Sequence, residues 1–247
     1  AAKDGGALYF GSKSRLLNNG TVTFKNNVAQ SGGAISTPAN LRIEGNGSVS
    51  FTGNNALYGG AIYQSIYALS ICGNTGDVTF RDNYERRYNA DNELESIVLN
   101  AVRFGRNNNA KTFAANEGQT ITFADAIYQE HAPNAYTYLN KYTPYGESEE
   151  VTTQGNIVFT GKDARERLAK LWTDNGLTPE GEAFETALTE SVTSNLNSTY
   201  LYGGTLSVED GTHVQFQAFY AKDGSTLHLK DSTVSCLYGQ SHHPYPT

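Results

Sequence analysis

Val22-Thr23-Phe24-Lys25-Asn26-Asn27 is followed by Gly32-Gly33-Ala34-Ile35. The pair recurs as Val49-Ser50-Phe51-Thr52-Gly53-Asn54 and Gly59-Gly60-Ala61-Ile62. A copy of the second element, Gly5-Gly6-Ala7-Leu8, precedes this stretch. A copy of the first, Val78-Thr79-Phe80-Arg81-Asp82-Asn83, follows it. The glycine pairs begin at 5, 32 and 59, so they are 27 apart twice; Phe24, Phe51 and Phe80 are 27 and then 29 apart. A period in this range is the mark of stacked supersecondary units.

One period, Gly32 to Tyr58, holds three short runs of strand type: Gly33-Ala34-Ile35, Leu41-Arg42-Ile43 and Ser48-Val49-Ser50-Phe51. Each alternates large apolar with small or polar residues, and glycine and asparagine separate them. No helix fits in the gaps. The implied fold is all-β: a right-handed parallel β-helix with three strands per coil, lateral loops and a short helical insertion. A single coil cannot bury its own apolar face, and stacking makes the core continuous. Val22/Phe24, Val49/Phe51 and Val78/Phe80 are predicted to point inward, in columns about 4.8 Å apart. Asn27, Asn54 and Asn83 fall at a corner, where asparagine tolerates left-handed backbone and its amide can bond a neighbouring coil. The glycine pairs let the chain bend sharply and approach the next coil. The third coil carries two extra residues, both at turns. This alignment sets Cys72 against Glu44, which predicts that Cys72 faces outward.

At 247 residues the chain is long enough for one extended domain. The predicted organisation is repeat coils over 1–83, later coils over 84–160, a helical insertion over 161–197 and C-terminal coils over 198–247. The apolar fraction of 38% is low and glycine is plentiful, as a solenoid rich in turns requires. Net charge is −7 and the sequence pI about 5.2, which makes nucleic acid a poor partner. The chain has no methionine and opens in mid-coil, so it is expected to be a piece of a longer protein. Cys72 and Cys236 belong to distant coils, farther apart than the roughly 7 Å that a disulfide tolerates between Cα atoms. Two free thiols are expected; the alternatives are that one end folds back or that Cys236 bonds another chain.

Outgrowths are predicted at 84–95 and 128–150. The first, charged and aromatic, is expected to loop out before Ser96–Phe104 returns as strand. The second contains Tyr128, Tyr136, Tyr138, Tyr142 and Tyr145, with Pro133, Pro144 and the acids Glu147, Glu149 and Glu150. Tyrosine-rich exposed loops often bind; the alternative is that the rings pack onto the side of the solenoid. Between 162 and 197, Asp163 is placed to cap a helix with Leu168, Leu171 and Trp172 on one face, ended by Gly176. Thr178-Pro179-Glu180 then begins a second, with Phe184, Leu188 and Val192 four apart. The two helices are expected to pack on each other and on the solenoid, either as a displayed recognition lobe that presents Trp172 and Phe184 or as a tolerated insertion. Strands resume from Tyr200, and the tail Ser241–Thr247 has no pattern.

Gly-Gly-Ala-Ile/Leu alternating with Phe-x-x-Asn, in the residues Gly5, Gly6, Phe24, Asn27, Gly32, Gly33, Phe51, Asn54, Gly59, Gly60, Phe80 and Asn83, resembles the passenger domains of chlamydial polymorphic membrane proteins and similar autotransporters. Leu99–Val102 followed by Ala115–Ile127 looks like the segment that closes the repeat array in that family, with Ala-Asp-Ala-Ile where Tyr-Asp-Pro-Ile is usual. Gly155–Gly161 and Leu201–Val208 look like its middle region. The resemblance implies an extracellular protein of the bacterial surface that adheres to host or neighbouring cells through a protein or glycan receptor. It also implies an outer-membrane barrel beyond Thr247. It carries over no catalytic residue and no cofactor.

Polysaccharide lyases and hydrolases share the β-helix, so fold alone leaves an enzyme open. Arg15 and Arg42 align on neighbouring coils without an acid pair beside them, and read as solvated side chains. His213 and His228, on separate late strands, lack a third ligand for a metal. No Gly-x-Ser-x-Gly, His-Glu-x-x-His or phosphate loop occurs. The expected function is adhesion without turnover, by a candidate surface of Tyr128, Tyr136, Tyr138, Tyr142, Tyr145, Trp172 and Phe184. A carbohydrate-active enzyme and a purely structural spacer are the alternatives.

Overall fold

The computed structural model describes residues 2–105, 110–130 and 135–237. Pro133 and the tail Ser241–Thr247 lie outside the described residues. The chain winds as a parallel β-helix whose coils contribute one strand to each of three sheets. The first sheet contains the Gly-Gly-Ala strands Leu8–Tyr9, Ile35–Thr37 and Ile62–Gln64, then Leu94–Phe104 and Ala126–Gln129. Thr193–Leu196, His213–Phe216 and Thr233–Cys236 form a separate three-stranded parallel sheet packed against its end. The second sheet runs from Ser14–Leu17 through Leu41–Glu44, Leu69–Cys72, Lys111–Ala114, Tyr136–Leu139 and Ser198–Leu201 to Phe219–Ala221. The third runs from Thr21–Lys25 through Ser48–Thr52, Val78–Arg81, Thr120–Phe123, Asn156–Thr160 and Thr205–Glu209 to Thr226–Lys230.

Register follows the sequence repeat. Val22, Val49 and Val78 pair in one row, and Phe24, Phe51 and Phe80 in the next but one. The three rings stack inside the solenoid at centroid distances of 4.8 and 4.6 Å. Phe123 and Phe159 continue the column at 5.0 and 5.1 Å. Ring stacking adds to the area these side chains remove from water. Both extra residues of the third coil sit in turns, since Ile71 pairs with Ile43 and Val78 with Val49.

The corner after the third sheet carries an amide ladder. Asn54 Oδ1 accepts from the backbone N–H and Nδ2 of Asn27. Asn83 Oδ1 accepts the same pair from Asn54. Asp125 Oδ2 accepts them from Asn83 and ends the series. The left-handed residue is the one before each asparagine, namely Asn26, Gly53 and Asp82, and not the ladder asparagine itself. That geometry aims the next N–H and side chain along the stack. A second ladder, Asn19–Asn46–Asn74, marks the corner between the second and third sheets.

The outgrowths differ from expectation in several ways. Residues 84–95 are not an irregular loop: Tyr84–Tyr88 folds back on Leu94–Phe104 as an antiparallel hairpin. Within 128–150, Tyr136–Leu139 is a coil strand of the second sheet, so the projecting part there is the short arm Lys141–Tyr142/Val151–Thr152. Helix α1 (Ala164–Asp174) begins after Asp163, which is left-handed and makes no capping bond. Helix α2 (Gly181–Ser191) starts two residues later than the proline predicted, with Glu180 at its N-cap. The insertion ends before Thr193, whose strand belongs to the solenoid. As expected, the helices pack on each other and on the solenoid, through Leu168, Trp172, Phe184 and Ala187 against Ile97, Val98 and Leu99.

Cys72 faces away from the solenoid core, as its pairing with Glu44 requires, but it is not exposed. The arm covers it: Arg42 donates to Thr143 O, Tyr145 N–H donates to Glu44, and the Tyr142 hydroxyl lies over Gly73. Arg15 lies over the Tyr145 ring, so Arg15 and Arg42 clasp the arm and are not two solvated side chains. Burial pushes the Cys72 thiol up to about 12. Both cysteines are free thiols, and Cys236 is exposed. An aromatic disulfide reagent at pH 8 is expected to titrate one thiol within minutes and the second only in denaturant. Two rapid equivalents would show that the arm does not cover the site.

Candidate functional site

The outward face of the first sheet sets Tyr63, Arg103 and Tyr128 in one row, because Tyr63 pairs with Arg103 and Arg103 with Tyr128. Arg103 is held from several sides. Its Nη1 donates to Glu85 Oε2 at 3.0 Å, and its guanidinium reaches Glu130 at 3.5 Å. Its guanidinium carbon lies 4.4 Å from the centre of the Tyr128 ring and 5.2 Å from that of Tyr58. Glu85 is buried, and its second oxygen accepts from Gly59 N–H at 2.7 Å. Burial pushes the Glu85 carboxyl up, against the pull of Arg103 and the Gly59 N–H.

Around this row lies a cleft of about 730 Å³. Its floor is Asn100, Arg103, Ala126, Thr193 and Asn195. One wall is the hairpin segment Arg86–Tyr88, and another is the end of α2 at Thr189 and Glu190. Three tyrosines of the lining are exposed: Tyr58 at 47%, Tyr88 at 39% and Tyr128 at 39%. The walls are fixed from behind. Trp172 Nε1 donates to Ile97 O, and Ser191 Oγ accepts from Leu99 N–H. Arg87 of the hairpin pairs with Glu190 of α2 and ties the two walls together. Exposed aromatic faces over a rigid, hydrogen-bonding floor suit reversible capture of a ligand.

The seven side chains predicted as a binding surface do not form one. Tyr128 alone lines the cleft. Tyr136 and Tyr138 lie on the outer face of the second sheet, where Tyr138, Tyr200 and Tyr220 share a row. The Tyr200 and Tyr220 rings stack at 4.8 Å, so their faces cover one another. Tyr142 and Tyr145 hold the arm down. Trp172 and Phe184 are buried against each other with ring centroids 5.2 Å apart, and present nothing to a partner. His213 and His228 stand on different sheets, and the described residues contain no cluster of three metal-ligating side chains.

Sequence reasoning missed Tyr58, Glu85, Tyr88 and Arg103. Tyr58 read as the end of a period and Tyr88 as part of a charged loop. Their convergence depends on register across 25 and 40 residues of intervening chain, which no local pattern encodes.

The family model for the Chlamydia polymorphic membrane protein (Chlamydia_PMP) repeat matches residues 21–38 and 48–65. Each match starts on a strand of the third sheet, passes a ladder asparagine and ends on a Gly-Gly-Ala strand of the first. No curated protein and no solved structure matches the chain. With coils stacked through those same residues, the chain is similar to polymorphic-membrane-protein repeat proteins over these two segments.

Proposed function

We propose that this chain is an adhesive passenger segment displayed on a bacterial surface, which binds host or neighbouring cells without chemical turnover. The observation that carries the reading is the tyrosine-rimmed cleft, whose floor is the outer face of the solenoid and whose walls, the hairpin and α2, are additions that the solenoid does not need for its own core. The repeat family is associated with the surface and outer membrane, which agrees with such a placement. The ionic pairing in the cleft favours binding over acid–base chemistry. Glu85 and Glu130 are engaged by Arg103, and Glu190 by Arg87. A working glycosidase needs one carboxyl free to donate a proton and another free to attack or to activate water.

Beads coated with the purified chain are expected to adhere to cultured epithelial cells or to bacteria. Beads carrying the triple variant Tyr58→Ala, Tyr88→Ala, Tyr128→Ala are expected to lose most of that adhesion, while thermal unfolding stays within a few degrees. A spacer would leave both bead types unbound. An enzyme would release new reducing ends or unsaturated sugars from a polysaccharide panel, and none is expected.

A further inference from the structure

We propose that the cleft between the hairpin and α2 is a saccharide-binding site for a short, uncharged oligosaccharide. This rests on the adhesive reading above and names the chemistry that the site recognises. The volume of about 730 Å³ admits a small ligand of a few sugar rings and is too small for a folded partner. The three exposed rim tyrosines offer ring faces and edges for the C–H faces of pyranose rings. Phenols at the mouth also donate and accept hydrogen bonds. On the floor and wall, Asn100 and Asn195 supply amides that match sugar hydroxyls in both senses, and the Thr189 and Thr193 hydroxyls, which donate to Glu185 O and Thr189 O, add acceptors.

Charge argues against the anionic alternatives. Arg86, Arg87 and Arg103 of the lining are balanced by Glu85 and Glu190 of the lining and by Glu130, which contacts Arg103. Two of the three guanidinium groups are already in ion pairs there. A sulfated or uronate-rich chain would have to break those pairs to gain Arg87 or Arg103, which leaves Arg86 against a whole-chain charge of −7. A neutral polyhydroxy ligand leaves them in place and meets a guanidinium whose position is already fixed, so little ordering is left for binding to impose. The Arg103 N–H groups not taken by Glu85 and Glu130 add fixed donors at the base of the row.

The test is an array of neutral hexose and N-acetylhexosamine oligosaccharides beside sialylated, uronate and sulfated ones, probed with the intact chain. Retained neutral oligosaccharides would be followed by titration calorimetry. Tyr58→Ala and Tyr128→Ala are each expected to weaken a neutral hit at least about tenfold, as loss of a hot-spot ring does. Tyr58→Phe is expected to stay within about threefold, since the ring face remains. Tyr200→Ala, on the second sheet, is expected to leave the affinity unchanged. A blank array, retention of acidic glycans alone, or hits indifferent to Tyr58 and Tyr128 would overturn the proposal. The adhesive reading is judged separately. Bead adhesion that survives enzymatic removal of cell-surface glycans, together with a blank array, rejects the saccharide and keeps the adhesin. Array binding without adhesion to any cell rejects the adhesin and keeps the saccharide.

Discussion

Replacing Asn54 with alanine is expected to destabilise the protein by about 4–6 kcal/mol, on the scale of about 1–3 kcal/mol for each buried polar group left without a partner. Asn54 is fully buried in the corner ladder. Its Oδ1 takes two hydrogen bonds from Asn27, and its Nδ2 donates to Phe24 O and to Asn83 Oδ1. Alanine would strip these bonds from three groups, Asn27 N–H, Asn27 Nδ2 and Phe24 O, while Asn83 Oδ1 keeps the backbone N–H of residue 54. Domains are stable by about 5–15 kcal/mol, so this single change removes a large part of the total. Urea unfolding followed by circular dichroism measures it as a fall in midpoint. Asn27→Ala, at the half-buried start of the ladder, is expected to cost well under half as much, because Asn54 Oδ1 loses one bond and still accepts from the backbone N–H of residue 27. Equal costs for the two variants, or less than about 1 kcal/mol for Asn54→Ala, would show that the ladder is not what holds the corner.

Lys111→Met is expected to act in the opposite direction. Lys111 lies in the interior row Ser14, Leu41, Leu69, where the two coils before it place leucine. Its Nζ donates to Asn197 Oδ1 at 2.6 Å and lies 4.7 Å from the centre of the Phe104 ring. No carboxylate pairs with it among the described residues, and burial pulls its amine from the ordinary 10.5 down to about 7. The folded state therefore prefers the neutral amine. Below pH 7 both states are protonated and the cost of a buried charge is felt in full. Between about 7 and 10.5 the unfolded chain stays protonated while the folded one does not, so stability rises with pH. Above 10.5 the difference is gone. Methionine of similar length is expected to raise stability by on the order of a few kcal/mol at pH 6, and to flatten the rise between pH 7 and 9. The window stops at 9 because the buried Cys72 thiol and the half-buried Tyr84 and Tyr142, all pushed up by burial, favour unfolding at higher pH. Parallel pH–stability curves for wild type and Lys111→Met would show that the lysine is not buried uncharged.

The repeat by itself determined the interior. Wherever a 27-residue period carries valine and phenylalanine two apart, like residues must stack, because a one-residue slip would turn the whole apolar set to solvent. That is why the phenylalanine column, the asparagine corner, the direction of Cys72 and the two turn insertions were all legible without coordinates. Amphipathic spacing likewise told that two helices exist and which faces they bury. It placed the start of α1, which follows Asp163 although that residue makes no capping bond, and set α2 two residues early at Pro179.

Tertiary structure alone decided what covers what. A strand pattern states which way a side chain points, and not whether a distant segment folds over it. Cys72 points outward and is buried by an arm some 70 residues later. Trp172 and Phe184, candidates for a displayed surface on helices expected to pack against each other, form the lobe's own core. The cleft belongs wholly to this second kind of information. Tyr58, Glu85, Tyr88, Arg103 and Tyr128 come from four different parts of the chain, brought together by sheet register and by a hairpin that local propensity gave no reason to expect. The physical cause is the same throughout. Periodic burial is a property of neighbouring residues in a coil, and so is written locally, whereas a surface site is a coincidence of coils and outgrowths whose spacing only the folded stack sets.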